Sequence, residues 1–200
     1  KKKKNNVRYG PGQFGIVTSA LIFGGEPSPS QPKTEAWNGT SWFEVNNLNT
    51  GRQELAGAGT TSSGIAFGGA PVKTETESWN GSQWTETSDL NIGRRNMSGI
   101  GSSTAALSAG GYNTAVTASN EEWNADFAYG VWATGGSLNT AREALAGAGT
   151  SRSSALAFGG NNPTPATVGL TEKYNGTAWA ELNDMNEGRN RLAGCGTVTA

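Results

Sequence analysis

Histidine is absent from this chain, and cysteine occurs once, at position 195. Without histidine there is no Ser-His-Asp or Cys-His nucleophile and no His-ligated zinc. A lone thiol can form neither an intrachain disulfide nor an all-thiolate zinc centre. No cofactor or metal is therefore expected. No apolar run reaches the ~18 residues of a membrane helix, and no secretory apolar core is present, so membrane insertion is not expected and any targeting segment would lie upstream. Charge is sparse as well. The net charge is −1, with 15 Lys and Arg against 16 Asp and Glu. Four of the cations are Lys1–Lys4, ahead of everything that recurs, which leaves a balance of −5 for the remainder (11 against 16). That basic run reads as a solvated lead-in. Nucleic-acid binding, which needs many clustered cations, is not expected.

What is abundant is glycine, 30 residues in 200, about twice the usual ~7%. Apolar residues alternate or cluster in short runs separated by Gly, Asn, Thr and Ser, the pattern of many short strands. The chain is expected to be all-β. One cassette recurs four times. Glycine pairs fall at Gly24-Gly25, Gly68-Gly69, Gly110-Gly111 and Gly159-Gly160. A first aromatic follows at Trp37, Trp79, Trp123 and Tyr174, and a second at Trp42, Trp84, Trp132 and Trp179. Then come Leu48, Leu90, Leu138 or Met185 and, at constant spacing, Arg52, Arg94, Arg142 or Arg189. The stretch between the glycine pair and the first aromatic varies in length. A period in the forties marks units that cannot bury their own faces and must pack on one another.

Each cassette parses into four strands. The first is the small-residue stretch exemplified by Leu55-Ala-Gly-Ala-Gly59, where alternate glycines allow backbones to approach closely around an axis. The second is the most apolar, as in Ile65-Ala66-Phe67, and its Gly-Gly ending supplies positive φ. The third and fourth flank Asn38-Gly39, Asn80-Gly81 or Asn175-Gly176, which predict tight type I′ hairpins. The third copy is longer, through Asp126-Phe127-Ala128-Tyr129-Gly130, and its hairpin is expected to protrude.

Arginine, small-residue strand, apolar strand, Gly-Gly, Glu-x-Trp/Tyr, Trp, Leu-Asn, arginine resembles the kelch repeat, the four-stranded blade of a β-propeller. The wording Leu-Ala-Gly-Ala-Gly-Thr and Thr-Glu-x-Tyr/Trp-Asn-Gly-Thr is similar to kelch-like repeats in tail-fibre and other structural proteins of marine bacteriophages, which implies a virion protein. The expected layout is an irregular basic segment over 1–12 and a propeller over 13–200. Blades fall near 13–50, 51–92, 93–140 and 141–188, with an extra strand at 189–200. Leu192–Val198 could pair beside Ile16–Phe23 and close the ring; a window on a longer array is the alternative. The missing histidine also excludes the copper chemistry of galactose-oxidase-like propellers.

Glu35, Glu77, Glu121 and Glu172 share one slot, two residues before the first aromatic. A carboxylate repeated in every blade reads as scaffold rather than as a glycosidase pair. The recurring arginines read the same way, bonding turn carbonyls or those glutamates across blade boundaries. Antiparallel order places the loop after strand two and the link to the next blade on one face. That face collects the variable segments Glu26–Lys33, Ala70–Lys73, Tyr112–Ser119 and Asn161–Leu170. Length variation on a constant frame suits recognition, and the candidate ligand contacts there are Tyr112, Asn113, Asn161 and Asn162, with the neighbouring Arg52, Arg94, Arg142 and Arg189. The function expected is a non-enzymatic binding or structural module, a phage fibre or virion-surface component engaging host-surface glycan or other virion proteins. Its place is then the virion, with larger fibre or particle assembly possible. The alternatives are a cellular kelch adaptor holding a peptide and a propeller glycosidase or lyase.

Overall fold

The computed structural model describes residues 8–26, 31–126, 130–164 and 166–198. Among them are sixteen strands and no helix. The first sheet holds β1 (Gly12–Ile16), β2 (Ser19–Phe23), β3 (Thr34–Trp37) and β4 (Trp42–Val45). The second holds β5 (Ala56–Thr60), β6 (Ser63–Phe67), β7 (Thr76–Trp79) and β8 (Trp84–Glu86). The third holds β9 (Ser98–Gly101), β10 (Ala106–Ala109), β11 (Asn120–Asn124) and β12 (Val131–Gly135). The fourth holds β13 (Ala146–Ser151), β14 (Ser154–Phe158), β15 (Thr171–Tyr174) and β16 (Trp179–Glu181). Each sheet is antiparallel with its strands in chain order. The four sheets are the blades of a β-propeller.

The inner strands β1, β5, β9 and β13 stand side by side around a common axis. Glycine is required there for space. A Cβ added to Gly99 would lie 2.5 Å from the carbonyl oxygen of Gly57 on the neighbouring blade, well inside contact distance. Farther out, aromatics wedge one sheet onto the next. Trp84 meets Phe23 of blade 1 edge-on at 5.0 Å between ring centroids, and Trp132 meets Phe67 of blade 2 at 4.8 Å. Such pairs add to the area they bury. Their indole N–H groups also cross the boundary, Trp84 Nε1 donating to Thr34 Oγ1 at 3.1 Å and Trp132 Nε1 to Thr76 Oγ1 at 3.2 Å. The indoles therefore face the core, and Trp79, Trp84, Trp123, Trp132 and Trp179 are all buried.

The glycine pairs do more than turn. Gly68 (φ 65°) and Gly69 (φ 127°) have the expected positive φ. A Cβ on Gly68 would lie 2.6 Å from the Arg94 carbonyl oxygen, and the Gly69 N–H donates to that oxygen at 2.9 Å. Gly25 bonds Arg52, Gly111 bonds Arg142 and Gly160 bonds Arg189 in the same manner. Each pair is thus a hook onto the chain entering the next blade.

The hairpins differ from expectation. In the register Trp37↔Trp42, Trp79↔Trp84 and Tyr174↔Trp179, four residues form each loop rather than two. Only the glycine has positive φ. The asparagine side chain builds the turn instead, Asn38 Oδ1 accepting from the N–H groups of Thr40 (3.0 Å) and Ser41 (2.9 Å), as an Asx turn does. In the third copy the ladder runs one pair further, to Asn124↔Val131. The expected protrusion at Phe127–Tyr129 lies outside the described residues, as does Lys1–Lys4.

The termini depart as well. Strand β1 pairs with β2 over five residues from Gly12↔Phe23 to Ile16↔Ser19, so blade 1 supplies its own inner strand. The exchange of Leu192–Val198 into that place does not occur, because the position beside β2 is already held. Arg8 to Pro11 form no strand, and Arg8 nevertheless ties this segment to blade 1, its Nη2 donating to Glu35 at 2.5 Å.

Candidate functional site

Around the axis, on the face where the inter-blade links arrive, five equivalent residues bond in series. Glu54 N donates to Gly10 O, Asn96 N to Glu54 O, Ala144 N to Asn96 O and Arg191 N to Ala144 O, at 2.6, 3.0, 2.8 and 2.8 Å. All five have left-handed φ, between 51° and 60°, and four are not glycine. Each such residue costs roughly 1–2 kcal/mol, which the main-chain bonds and the packing beneath offset. Segment Arg189–Val198 is therefore the fifth member of the inner series, although its residues form no strand ladder.

This series rims an axial cavity of about 360 Å³, lined among others by Tyr9, Glu54, Asn96 and Arg191 above Leu55, Met97, Leu145 and Leu192. The Arg191 guanidinium lies over the Tyr9 ring, 5.2 Å from its centroid. The loops that follow the second strands join the rim through paired main-chain bonds. Arg95 and Tyr112 bond each other in both directions, as do Glu143 and Asn161. Strand direction thus brings the variable segments and the axial mouth to one face, as expected. Tyr112 stands under the Arg95 guanidinium at 4.9 Å, and Arg95 Nη1 reaches Glu54 Oε2 at 2.9 Å. Asn161 Oδ1 accepts from Asn190 Nδ2 at 2.8 Å. Asn113 and Asn162 turn their side-chain oxygens back onto their own loops, to Ala115 N and Ala166 N among others.

The arginines separate into two kinds. Arg52, Arg94 and Arg142 are fully buried. Each gives its guanidinium's Nη groups to two carbonyls and one glutamate: Arg94 to Gly110 O, Ser119 O and Glu121 Oε1 (2.9 Å), with its Nε on Ile92 O as well, Arg52 to Gly68 O, Glu75 O and Glu77 Oε1, Arg142 to Gly159 O, Leu170 O and Glu172 Oε1. Burial lowers the pKa of Arg94 and Arg142, while the partner carboxylates act in the opposite direction. These three cannot touch a ligand. They are staples, and they act inside one blade rather than across a boundary. What crosses is the arginine's own carbonyl, held by the glycine hook, and the asparagine of Leu-Asn: Asn91 donates both its N–H (2.7 Å) and Nδ2 (2.9 Å) to Glu121 Oε2. The Arg189 side chain is exposed and, among the described residues, pairs only with Glu187, at 3.2 Å.

Sequence reasoning missed Glu54, Arg95, Asn96, Glu143, Asn190 and Arg191. A signal existed. The two residues after each recurring arginine (Gln53-Glu54, Arg95-Asn96, Glu143-Ala144, Asn190-Arg191) differ in every copy, between an invariant arginine and a Leu or Met.

One polar contact behind the rim sets a pH response. The Tyr174 hydroxyl donates to Glu122 Oε1 at 2.5 Å and accepts from Gly136 N at 3.2 Å. Burial, reinforced by the Glu122 bond, pushes the Tyr174 pKa up to about 12. The fold thus holds the phenol proton more tightly than the unfolded chain, whose tyrosines titrate near ~10. The stabilisation is complete below pH ~10 and is lost as pH rises towards about 12. Tyr174→Phe is expected to cost about 1.5–3 kcal/mol at pH 7. In urea melts, the gap between the two proteins should close across that alkaline window.

In fold this chain resembles YjhT. A solved structure, "Structure of YjhT", superposes with a TM-score of 0.77 over 94% of this chain and 74% of that one, at 11% sequence identity. No protein-family profile matches the sequence, and no curated protein does. At that identity the likeness extends to the fold, and a propeller is consistent with a binding or structural module.

Proposed function

We propose that the chain is a non-enzymatic recognition propeller of a virion surface, and that its rimmed face binds host-surface glycan. The observation that carries this is the convergence of the variable loops and the axial mouth on one face. The groups offered there are amides, hydroxyls and two rings, Tyr9 and Tyr112, together with the Glu54–Arg95 pair. Amide and carboxylate groups beside an aromatic ring suit a sugar's hydroxyls and its apolar face. The virion setting is supported by the resemblance of the repeat wording to phage fibre proteins. Against hydrolysis stands the use already made of the recurring carboxylates. Glu35, Glu77, Glu121 and Glu172 are buried, and each is bonded to an arginine of its own blade.

A glycan array probed with the chain tests the reading. Binding to a defined subset of glycans is expected, with loss of at least tenfold in affinity when Tyr112–Ser119 is replaced by a Gly-Ser loop of equal length. A blank array with the folded protein overturns glycan recognition. Engagement of virion proteins alone would replace it with an architectural role. Turnover of a polysaccharide would return the chain to the enzymes.

A further inference from the structure

We propose that the Asn-Gly hairpin tips are sites of self-modification, where asparagine loses its side-chain amide as ammonia. Asn80 is the fastest of the three, because its turn activates the amide carbonyl most strongly.

The three pairs are Asn38-Gly39, Asn80-Gly81 and Asn175-Gly176, each between the third and fourth strands of a blade. Strand order sets these turns on the face opposite the rim, and all three asparagines are exposed. In each turn main-chain donors hold the amide oxygen. Asn38 Oδ1 accepts from Thr40 N and Ser41 N, and Asn175 Oδ1 accepts from Thr177 N and Ala178 N, both at 2.9 Å. Asn80 Oδ1 has a third donor. It accepts from Ser82 N and Gln83 N, each at 3.0 Å, and from the Ser82 hydroxyl at 2.9 Å. Thr40 and Thr177 hold the place of Ser82, yet their hydroxyls make no such bond among the described residues. The oxygen of each amide is thus polarised while its nitrogen stays free in solvent.

The turn also places the reacting atoms. The bond from the second residue onward closes a ring that contains both the side-chain carbonyl carbon and the glycine nitrogen, which folds one back towards the other. Glycine has no Cβ to obstruct the approach. Solvent hydroxide takes the Gly81 N–H proton, and the nitrogen's electron pair forms a bond to Asn80 Cγ. The negative charge that develops on Oδ1 meets three donors already aimed at it, as in an oxyanion hole. The Cγ–Nδ2 bond then breaks, and Nδ2 leaves as ammonia with a proton from water. Water opens the resulting cyclic imide at either carbonyl, giving aspartate or isoaspartate. Nothing is oxidised or reduced. Aspartate accepts from the same donors with charge assistance, so that product keeps the turn. Isoaspartate lengthens the main chain by a methylene at the tip. Either product adds a negative charge there. The third copy supplies a contrast, since Asn124 precedes Ala125 and its oxygen has one main-chain donor, Asp126 N at 2.9 Å.

The chain is held in mildly alkaline buffer, sampled over time, digested and mapped by mass spectrometry for amide loss at each asparagine. The same chain in urea is the reference, because unfolding removes the donors and keeps the sequence. Asn80 is expected to convert at least about tenfold faster folded than unfolded. Among the folded sites it should lead Asn38 and Asn175, with Asn124 the slowest. Ser82→Ala keeps the Ser82 N–H and removes only the hydroxyl donor. It should slow Asn80 about tenfold, to the rate of Asn38 and Asn175, and leave the melting temperature unchanged. Conversion of Asn80 no faster folded than unfolded overturns the proposal and makes the turn a shield. Indifference of the Asn80 rate to Ser82→Ala, or equal folded rates at all three tips, overturns it as well.

Discussion

Glu121→Ala is expected to cost about 3–5 kcal/mol of unfolding free energy, enough to remove much of the stability of a domain that has ~5–15 kcal/mol in total. The size follows from what remains after the substitution. Glu121 accepts from Arg94 Nη2, from both donors of Asn91 and from the N–H of Ile92. Arg94 would stay fully buried with only carbonyl partners and no counter-charge. Its third copy and blade-to-blade link would fail together, because the same carboxylate ties the link from blade 2 onto blade 3. Urea denaturation reads the loss directly. The contrast within the same register is Glu187→Ala, whose partner Arg189 is exposed; exposed pairs contribute roughly 0–1 kcal/mol. If both variants lost stability equally, the staple reading would fail.

The second large effect belongs to the aromatic wedge. Trp132→Ala removes a buried indole that packs on Phe67 and bonds Thr76 across the boundary. Large aromatic-to-alanine changes in a core cost about 3–5 kcal/mol. Because the contact joins two blades, the melting transition should also broaden, with the halves on either side of the boundary uncoupling. Trp42→Ala in the same slot of blade 1 is expected to cost far less, since Trp42 is only half-buried. Calorimetric scans of the two variants provide the comparison.

Much of the frame was readable because each blade repeats the same local instructions. Gly-Gly, the aromatic pair and the alternating small residues located all four sheets, and the antiparallel order located the loop face. The failures share a cause, which is that tertiary contacts decide them. The segment Tyr9-Gly10-Pro11-Gly12-Gln13 has little strand character, yet β1 forms because β2 offers a free edge and Phe14 packs against Phe23. Arg52 and Arg189 occupy the same slot in the sequence, and only the presence of an outer blade makes one a buried staple and the other a surface side chain. The left-handed conformation of Glu54, Asn96, Ala144 and Arg191 could not be read from residue type, since none is glycine. It is imposed by the hydrogen bonds that pass around the axis.

That series of main-chain bonds has a consequence for inheritance. Peptide groups make the collar, so its continuous series of hydrogen bonds does not depend on which side chains are mounted on it. Glutamate, asparagine, alanine and arginine already occupy its successive places in a single molecule. A lineage could rewrite these places one codon at a time, leaving the architecture beneath untouched.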